Sequence, residues 1–494
     1  MRVTVMTAAL ALAALPALAQ MPCEKLAALK LPGATITAAE AIPAGSYKTQ
    51  APPNSLVQVP AFCRVAATLR PTADSNIDVE VWLPENWNGK YEAVGGGGWA
   101  GNISFPAMAA ALAEGYATSS TDTGHHGGDA KFAPGHPEKL IDYSYRAVHE
   151  MTVQAKALVN ARYGKAPKES YWNGCSYGGR QGLEEAQRYP EDYDGIVAGA
   201  PANYHIHLHA FDMKVAAVNQ KDEEHLVPAN KLAMVHAAVV AACDGLDGVK
   251  DGLLSNPKAC KFDPATLQCK GGDTAMCLTT AQLESVRAMY APAEWKDGTL
   301  IYPGMPYGGE AGWSRMFNPD PFSTPAADTF RYVLNENPAW DLHSFDLDRD
   351  VAAADAKAPY LNAINPDLKE FRDHGGKLLM YHGWADQLIS AENSINYKAS
   401  VEAKLGGNQD NWLRLYMVPG MMHCRGGEGP NQFNVMGAME RWKESAEAPA
   451  QILASHVTNN NIDMSRPLCP YPQTAVYKGV GSTNDAANFS CKAP

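Results

Sequence analysis

The sequence predicts an α/β fold, a mainly parallel central sheet interrupted by a large inserted domain. Three observations predict it. Short apolar strands alternate with helical segments in the first and last thirds of the chain, and that rhythm is lost in the middle. A Gly-x-Ser-x-Gly pattern falls between one such strand and one such helix, and an aspartate and a histidine follow later strands.

The first segment is not part of the fold. Met1-Arg2, an apolar run from Val3 to Leu15, and small residues at Ala17 and Ala19 read as a secretory signal peptide spanning residues 1–19. The run is shorter than the ~20 apolar residues of a spanning helix, and no later stretch reads as one. The expectation is a secreted or periplasmic protein with no membrane span. All ten cysteines lie beyond Ala19, as suits an oxidising compartment.

The N-terminal part of the core, 20–202, contains strands at Ile77 to Leu83, Tyr91 to Val94, Tyr116 to Ser119, Ser170 to Asn173 and Gly195 to Ala198. Helical spacing runs from Tyr145 to Tyr163 and from Gln181 to Tyr189, where Pro190 stops it. Residues 203–365 hold helical stretches such as Ala229 to Ala242, cysteine loops and many aromatics, which reads as a lid domain. In 366–494 the rhythm returns: a strand at Lys377 to Tyr381, a helix near Ala391 to Lys404, a strand at Leu413 to Val418 and a helix from Asn434 to Lys443. The C-terminal tail reads as irregular and stapled.

Composition agrees with a large globular core, since 46% of the 494 residues are hydrophobic and 19% charged. The formal charge of -12 offers no electrostatic footprint for nucleic acid.

Gly174-Cys175-Ser176-Tyr177-Gly178 sits where a nucleophile elbow must sit. The sharp turn strains the nucleophile's backbone, so small residues must flank it, and the following helix aims free amides at a developing oxyanion. A serine nucleophile needs a base and an acid that orients the base. Asp386, in His382-Gly383-Trp384-Ala385-Asp386, and His423, in Pro419-Gly420-Met421-Met422-His423, each follow a C-terminal strand in the order Ser, Asp, His of an α/β-hydrolase fold. Oxyanion donors are expected from the amides of Tyr177 and of Gly98, the last of four consecutive glycines before Trp99; that run matches no nucleotide-phosphate motif.

Ser176 and His423 are each beside a cysteine, so a fold that joins them brings Cys175 to Cys424, and a bridge there would pin both loops. Cys243 with Cys260, Cys269 with Cys277 and Cys469 with Cys491 would close short local loops, which leaves Cys23 for Cys63.

The elbow with Gly179, the His382–Asp386 loop and His423-Cys424 together resemble the tannase and feruloyl esterase family of α/β-hydrolases, which includes mono-hydroxyethyl terephthalate hydrolase. Thr121-Asp122-Thr123-Gly124-His125 also resembles it. The resemblance spans nearly the whole mature chain. It implies a bridged cysteine pair beside serine and histidine, a lid shaping an aromatic-ester pocket, and no organic cofactor. Cys243 to Leu253 alternates carboxylates with glycines, suiting a hard cation, although the spacing departs from an EF-hand. Resemblance implies a structural calcium held by Asp244, Asp247 and Asp251 side chains and the Val249 and Leu253 carbonyls. His125, His126 and Asp129 read as a structural loop, His149 and His382 as hydrogen-bonded structural residues, and Trp295, Trp313, Trp340 and Phe330 as lid core.

The function expected is a secreted serine esterase of aromatic acid esters, feruloyl or galloyl by resemblance, with a small-molecule aromatic ester, free or attached to plant polysaccharide or tannin, as partner. The alternatives are a mono-hydroxyethyl terephthalate hydrolase-like esterase, with Arg315 or Arg331 open as carboxylate binders, a catalytically silent phenolic- or glycan-binding protein, and a serine peptidase. Tyr177 and Ile389 are expected near the acyl ring.

Overall fold

The computed structural model describes residues 20–49, 55–99, 101–318 and 325–493, so the expected signal peptide lies outside the described residues. Nine strands form the central sheet: β1 (Ala34–Ile42), β2 (Phe62–Leu69), β3 (Ile77–Pro84), β4 (Tyr91–Val94), β5 (Ala117–Thr121), β6 (Ser170–Cys175), β7 (Gly195–Gly199), β8 (Lys377–Gly383) and β9 (Leu413–Val418). Their spatial order is β1-β2-β3-β5-β4-β6-β7-β8-β9. The first four in that order pair antiparallel, and every pairing from β5 onward is parallel.

Side-chain alternation explains the near-continuous apolar strands. Trp172, Ile196 and Leu378 are buried on one face among Leu183, Met380 and Leu413, while their chain neighbours Tyr171, Val197 and Leu379 are buried on the other with Met439 and Trp442. Each such aliphatic side chain contributes about 1.5–3 kcal/mol by leaving water. Because β4, β6, β8 and β9 run parallel, their carboxyl ends share one edge, and the loops after them carry the glycine run, the elbow, Asp386 and His423.

The described residues of 203–365 are mostly helical or irregular, with His205–Asn219, Ala229–Cys243, Thr280–Tyr290 and Leu347–Lys357 as the longer helices and one short hairpin, Ala293–Glu294 with Leu300–Tyr302. The Thr279 and Gln282 side chains close a reciprocal cap on the third of these. Phe211, Leu232, Trp313, Phe330 and Trp340 form a core with Trp99, Tyr143 and Tyr177 of the sheet domain, and Trp295 packs partly buried against it. Glu223–Asp247 is the one helical stretch among the described residues long and apolar enough to cross a bilayer; within it Leu232, Val235 and Val239 are buried in protein and Cys243 is bridged.

The disulfides join Cys23 to Cys63, Cys175 to Cys424, Cys243 to Cys260, Cys269 to Cys277 and Cys469 to Cys491. The C-terminal tail, expected to be irregular, instead forms two hairpins, Ile452–Thr458 with Asn461–Leu468 and Thr474–Tyr477 with Phe489–Lys492. The last bridge ties one to the other. These strands are largely half-exposed, so they lack the apolar runs that mark the sheet interior.

Candidate active site

Ser176 stands at the junction of β6 and the helix Tyr177–Arg188 with φ 64° and ψ -124°, a conformation costing about 1–3 kcal/mol for a non-glycine residue. The surroundings hold it there. Its amide donates to Gly199 O at 2.9 Å, and its carbonyl accepts from Arg180 N at 3.1 Å and Ala202 N at 3.0 Å. Glycine is required at Gly174, where a Cβ would lie 2.4 Å from Gly178 O. Arg180, fully buried on the helix after Ser176, donates to Leu361 O (2.6 Å), Ser144 O (2.7 Å) and Tyr360 O (2.8 Å), clamping that helix to Tyr360–Leu361 and to Ser144.

Asp386 is 1% exposed. Its Oδ1 accepts from the Leu388 and Ile389 amides, both at 2.9 Å. Its Oδ2 lies 2.8 Å from His423 Nδ1 and 3.1 Å from His382 Nε2, while His382 Nδ1 meets Ser394 Oγ at 2.8 Å. Burial opposes ionisation of Asp386, but His423 and His382 outweigh it and hold the carboxyl well below the usual range. Burial likewise disfavours the His423 imidazolium; Asp386 overcomes this and raises the pKa above its ordinary value. The His423 amide donates to Gln387 Oε1 at 3.0 Å, a second tie between the His423 loop and the Asp386 loop. The Cys175–Cys424 bridge, with Cα atoms 6.0 Å apart, joins the residue before Ser176 to the residue after His423.

In the glycine run, the Gly95 amide donates to Asn173 O and the Gly96 amide to Gln181 Oε1, both at 3.0 Å. Those two donors are committed. Gly97 and Gly98 face a cavity of about 490 Å³, and Gly98 has φ 56° with its carbonyl accepting from Tyr143 Oη at 2.9 Å. Ser176, Tyr177 and His423 line the same cavity, with Asp386 behind the histidine. A cavity of this size suits a small organic ligand.

Ile389 lines the cavity beside Tyr177; of the two arginines left open, Arg315 also lines it, whereas Arg331 is ion-paired with Asp328. Sequence reasoning missed His205, His209, Asp212, Leu388 and Arg425 in the wall. Burial pushes Asp212 up to about 8 against the pull of Arg315, so that carboxyl is largely neutral at pH 7. No motif marks these residues: His205, His209 and Asp212 come in on the helix His205–Asn219, while Leu388 and Arg425 lie in the loops that carry Asp386 and His423.

In the cysteine-rich loop, Asp244 Oδ1 accepts from the Asp251 (3.1 Å) and Gly252 (3.0 Å) amides, and Asp247 Oδ1 from Val249 N at 3.0 Å. Asp251 Oδ1 accepts from Leu253 N at 3.1 Å, and its Oδ2 is ion-paired with Arg466. Burial raises the Asp247 pKa, and Asp251 adds to the rise. Of the histidine loop, His125 Nε2 meets Trp99 O at 2.6 Å and Asp129 pairs with Lys131, while His126 turns to Asp78 and Asp122. His149 Nδ1 meets Asp192 Oδ2 at 2.6 Å.

A family profile described as tannase and feruloyl esterase matches residues 63–492. The chain belongs to the tannase and feruloyl esterase family. Membership makes it a carboxylic ester hydrolase. An uncharacterised esterase of Xanthomonas campestris pv. campestris is 36% identical over 96% of this chain and 91% of its own length. A probable feruloyl esterase B-1 of Aspergillus flavus is 37% identical over 87% of this chain and 86% of its own. Among solved structures, feruloyl esterase B from Aspergillus oryzae superposes with a TM-score of 0.91 at 31% identity, covering 95% of this chain and 99% of that one. The tannin acyl hydrolase of Aspergillus niger, at 22% identity and TM-score 0.73 over 94% of this chain and 92% of its own, shares the fold. The matched span contains Ser176, Asp386 and His423.

Proposed function

We propose that this family member is an exported serine esterase that cleaves feruloyl or galloyl esters through an acyl-enzyme. The observation that carries the reading is a buried, ionised Asp386 bound to His423 in the same cavity as a strained Ser176. In this mechanism His423 Nε2 takes the Ser176 proton, and Oγ attacks the ester carbonyl. The Gly98 and Tyr177 amides receive the oxyanion, and protonated His423 then gives its proton to the leaving alcohol. Water, deprotonated by His423, releases the acid and restores Ser176. Asp386 orients the imidazole and stabilises its charged form. Residues 203–365 act as the lid, and the five bridges together with Met1–Ala19 support export.

Hydrolysis of methyl ferulate, methyl gallate and mono-hydroxyethyl terephthalate by the oxidised mature protein tests the substrate class. Turnover of either of the first two is expected. No turnover of any by a folded protein would instead favour a silent binder. Arg315 in the cavity wall favours a second reading, in which the terephthalate monoester is preferred.

The base works only as neutral imidazole, so kcat/KM falls as pH drops through the His423 pKa. Because Asp386 raises that pKa, the acid limb should lie above the ordinary histidine value of about 6.5. A pH–rate profile on a neutral ester checks this.

Calcium in the Cys243–Leu253 loop belongs to the same proposal. Three carboxylates and two carbonyls would supply an all-oxygen set, and burial with the neighbouring Asp251 pushes the Asp247 carboxyl up against hydrogen bonds from Ser255 and the Val249 amide. Asp244, Asp247 and Asp251 with the Val249 and Leu253 carbonyls would hold the ion, Asp251 sharing its carboxylate with Arg466. The ion would supply charge neutralisation that fixes the loop. Chelation should lower Tm by several degrees and added calcium should restore it, since a hundredfold excess over Kd stabilises by about 2.7 kcal/mol. A thermal melt with EDTA and then calcium checks this.

A further inference from the structure

We infer that Asp78, Asp122 and His126 form a site for one divalent transition metal of the zinc type, separate from the Cys243–Leu253 loop. Asp78 lies in β3, and Asp122 directly follows β5, its antiparallel neighbour. The strands place the two carboxylates side by side: Asp122 N donates to Asp78 O at 3.0 Å, and Asp78 N to Asp122 Oδ1 at 2.9 Å. His126 arrives on the loop that returns over them. One ligand atom from each of the three residues lies within 4.8 Å of the other two.

The second observation is an unfilled oxygen. The Asp122 side chain is 3% exposed, and its Oδ1 accepts from both Asp78 N and Gly124 N (2.8 Å), yet its Oδ2 accepts no hydrogen bond. That oxygen faces His126 Nδ1 at 3.6 Å, and Asp78 Oδ2 faces His126 Nε2 at 3.7 Å. Both gaps are too long for hydrogen bonds. They run to the two nitrogens of one ring, so an ion held by both carboxylates takes one of these nitrogens after the exposed imidazole turns, with bonds of roughly 2.1 Å placing neighbouring ligands about 3.4 Å apart. A dry carboxylate oxygen without a partner is costly, and a bound cation removes that cost.

The surroundings fit a metal ligand set. Asp78 Oδ1 accepts from Thr68 Oγ1 at 2.8 Å, which fixes the carboxylate and leaves Oδ2 toward the site. The His126 side chain is 68% exposed, so an ion has a path from solvent and the imidazole has room to turn one nitrogen inward. Two carboxylates and one imidazole suit zinc, with water completing the fourth position.

The same loop supports the glycine run. His125 Nε2 contacts Trp99 O at 2.6 Å, and Gly127 O accepts from Gly101 N at 2.7 Å. A metal on His126 therefore braces the segment that presents Gly98. This consequence rests on the reading of Gly98 as an oxyanion donor; metal binding itself does not.

Calorimetric titration of Zn²⁺ into the calcium-loaded mature protein tests the site, with Asp78→Asn and His126→Ala titrated beside it. The wild type should bind one zinc ion, and each variant should lose at least tenfold in affinity. His126 is exposed, so its variant is expected to fold, which an unchanged far-UV spectrum and Tm without zinc would establish. No zinc binding by the wild type at up to about 100 μM, or undiminished binding by folded His126→Ala, overturns the proposal. An enzyme inactive on every aromatic ester would still report zinc binding, so the two readings fail separately.

Discussion

Ser176→Ala should lower kcat on an aromatic ester by on the order of a million-fold, with KM and Tm little changed. The loss is large because removing Oγ abolishes the acyl-enzyme route, leaving only oxyanion donors and binding to act on water. KM should hold because the cavity walls, from Gly98 to Ile389, are untouched. Alanine keeps a Cβ at the same positive φ, so the elbow keeps its strain and its ties to Gly199, Arg180 and Ala202. Steady-state kinetics on methyl ferulate with a thermal melt of both proteins checks each part. A variant retaining a tenth of the activity would remove Ser176 from the mechanism.

Asp386→Asn should lower kcat by about ten-thousand-fold and shift the acid limb to lower pH. The substitution is isosteric, so Oδ1 can still accept from the Leu388 and Ile389 amides. At the other position an NH2 donor would replace the oxygen that faces His423 Nδ1 and His382 Nε2. His423 then loses the acceptor that fixes its tautomer, a loss of about 10,000-fold in the serine-protease precedent. With the carboxylate gone, burial is left as the main influence on the imidazole and lowers its pKa. The variant should also be less stable, since a fully buried site is left with mismatched donors. Comparing its pH–rate profile with that of the wild type separates the two effects, because loss of stability alone does not move an acid limb.

The sheet interior was legible where strands are buried on both faces. Tyr91–Val94 and Leu413–Val418 have the boundaries read from their apolar runs, and β6 and β7 extend theirs by one or two residues. β1 was not legible, because it is a half-exposed edge strand without an apolar run, and β2 was missed although it is buried. The terminal hairpins were hidden by half-exposed strands that lack apolar runs. At the site, Ser176, Asp386 and His423 stand in compact motifs after strands, so their neighbourhood can be read from order alone. His205, His209 and Asp212 reach the cavity only through the packing of a distant helix, which no local pattern records. Asp78 and Asp122 lie 44 residues apart, and only the β3–β5 register makes them neighbours.

The most direct test of the central claim is mass spectrometry of the protein acid-quenched during turnover of a feruloyl ester. The account predicts a feruloyl adduct on the peptide containing Ser176, absent in Ser176→Ala. Hydrolysis by the wild type with no adduct on that peptide, and undiminished in Ser176→Ala, would contradict it.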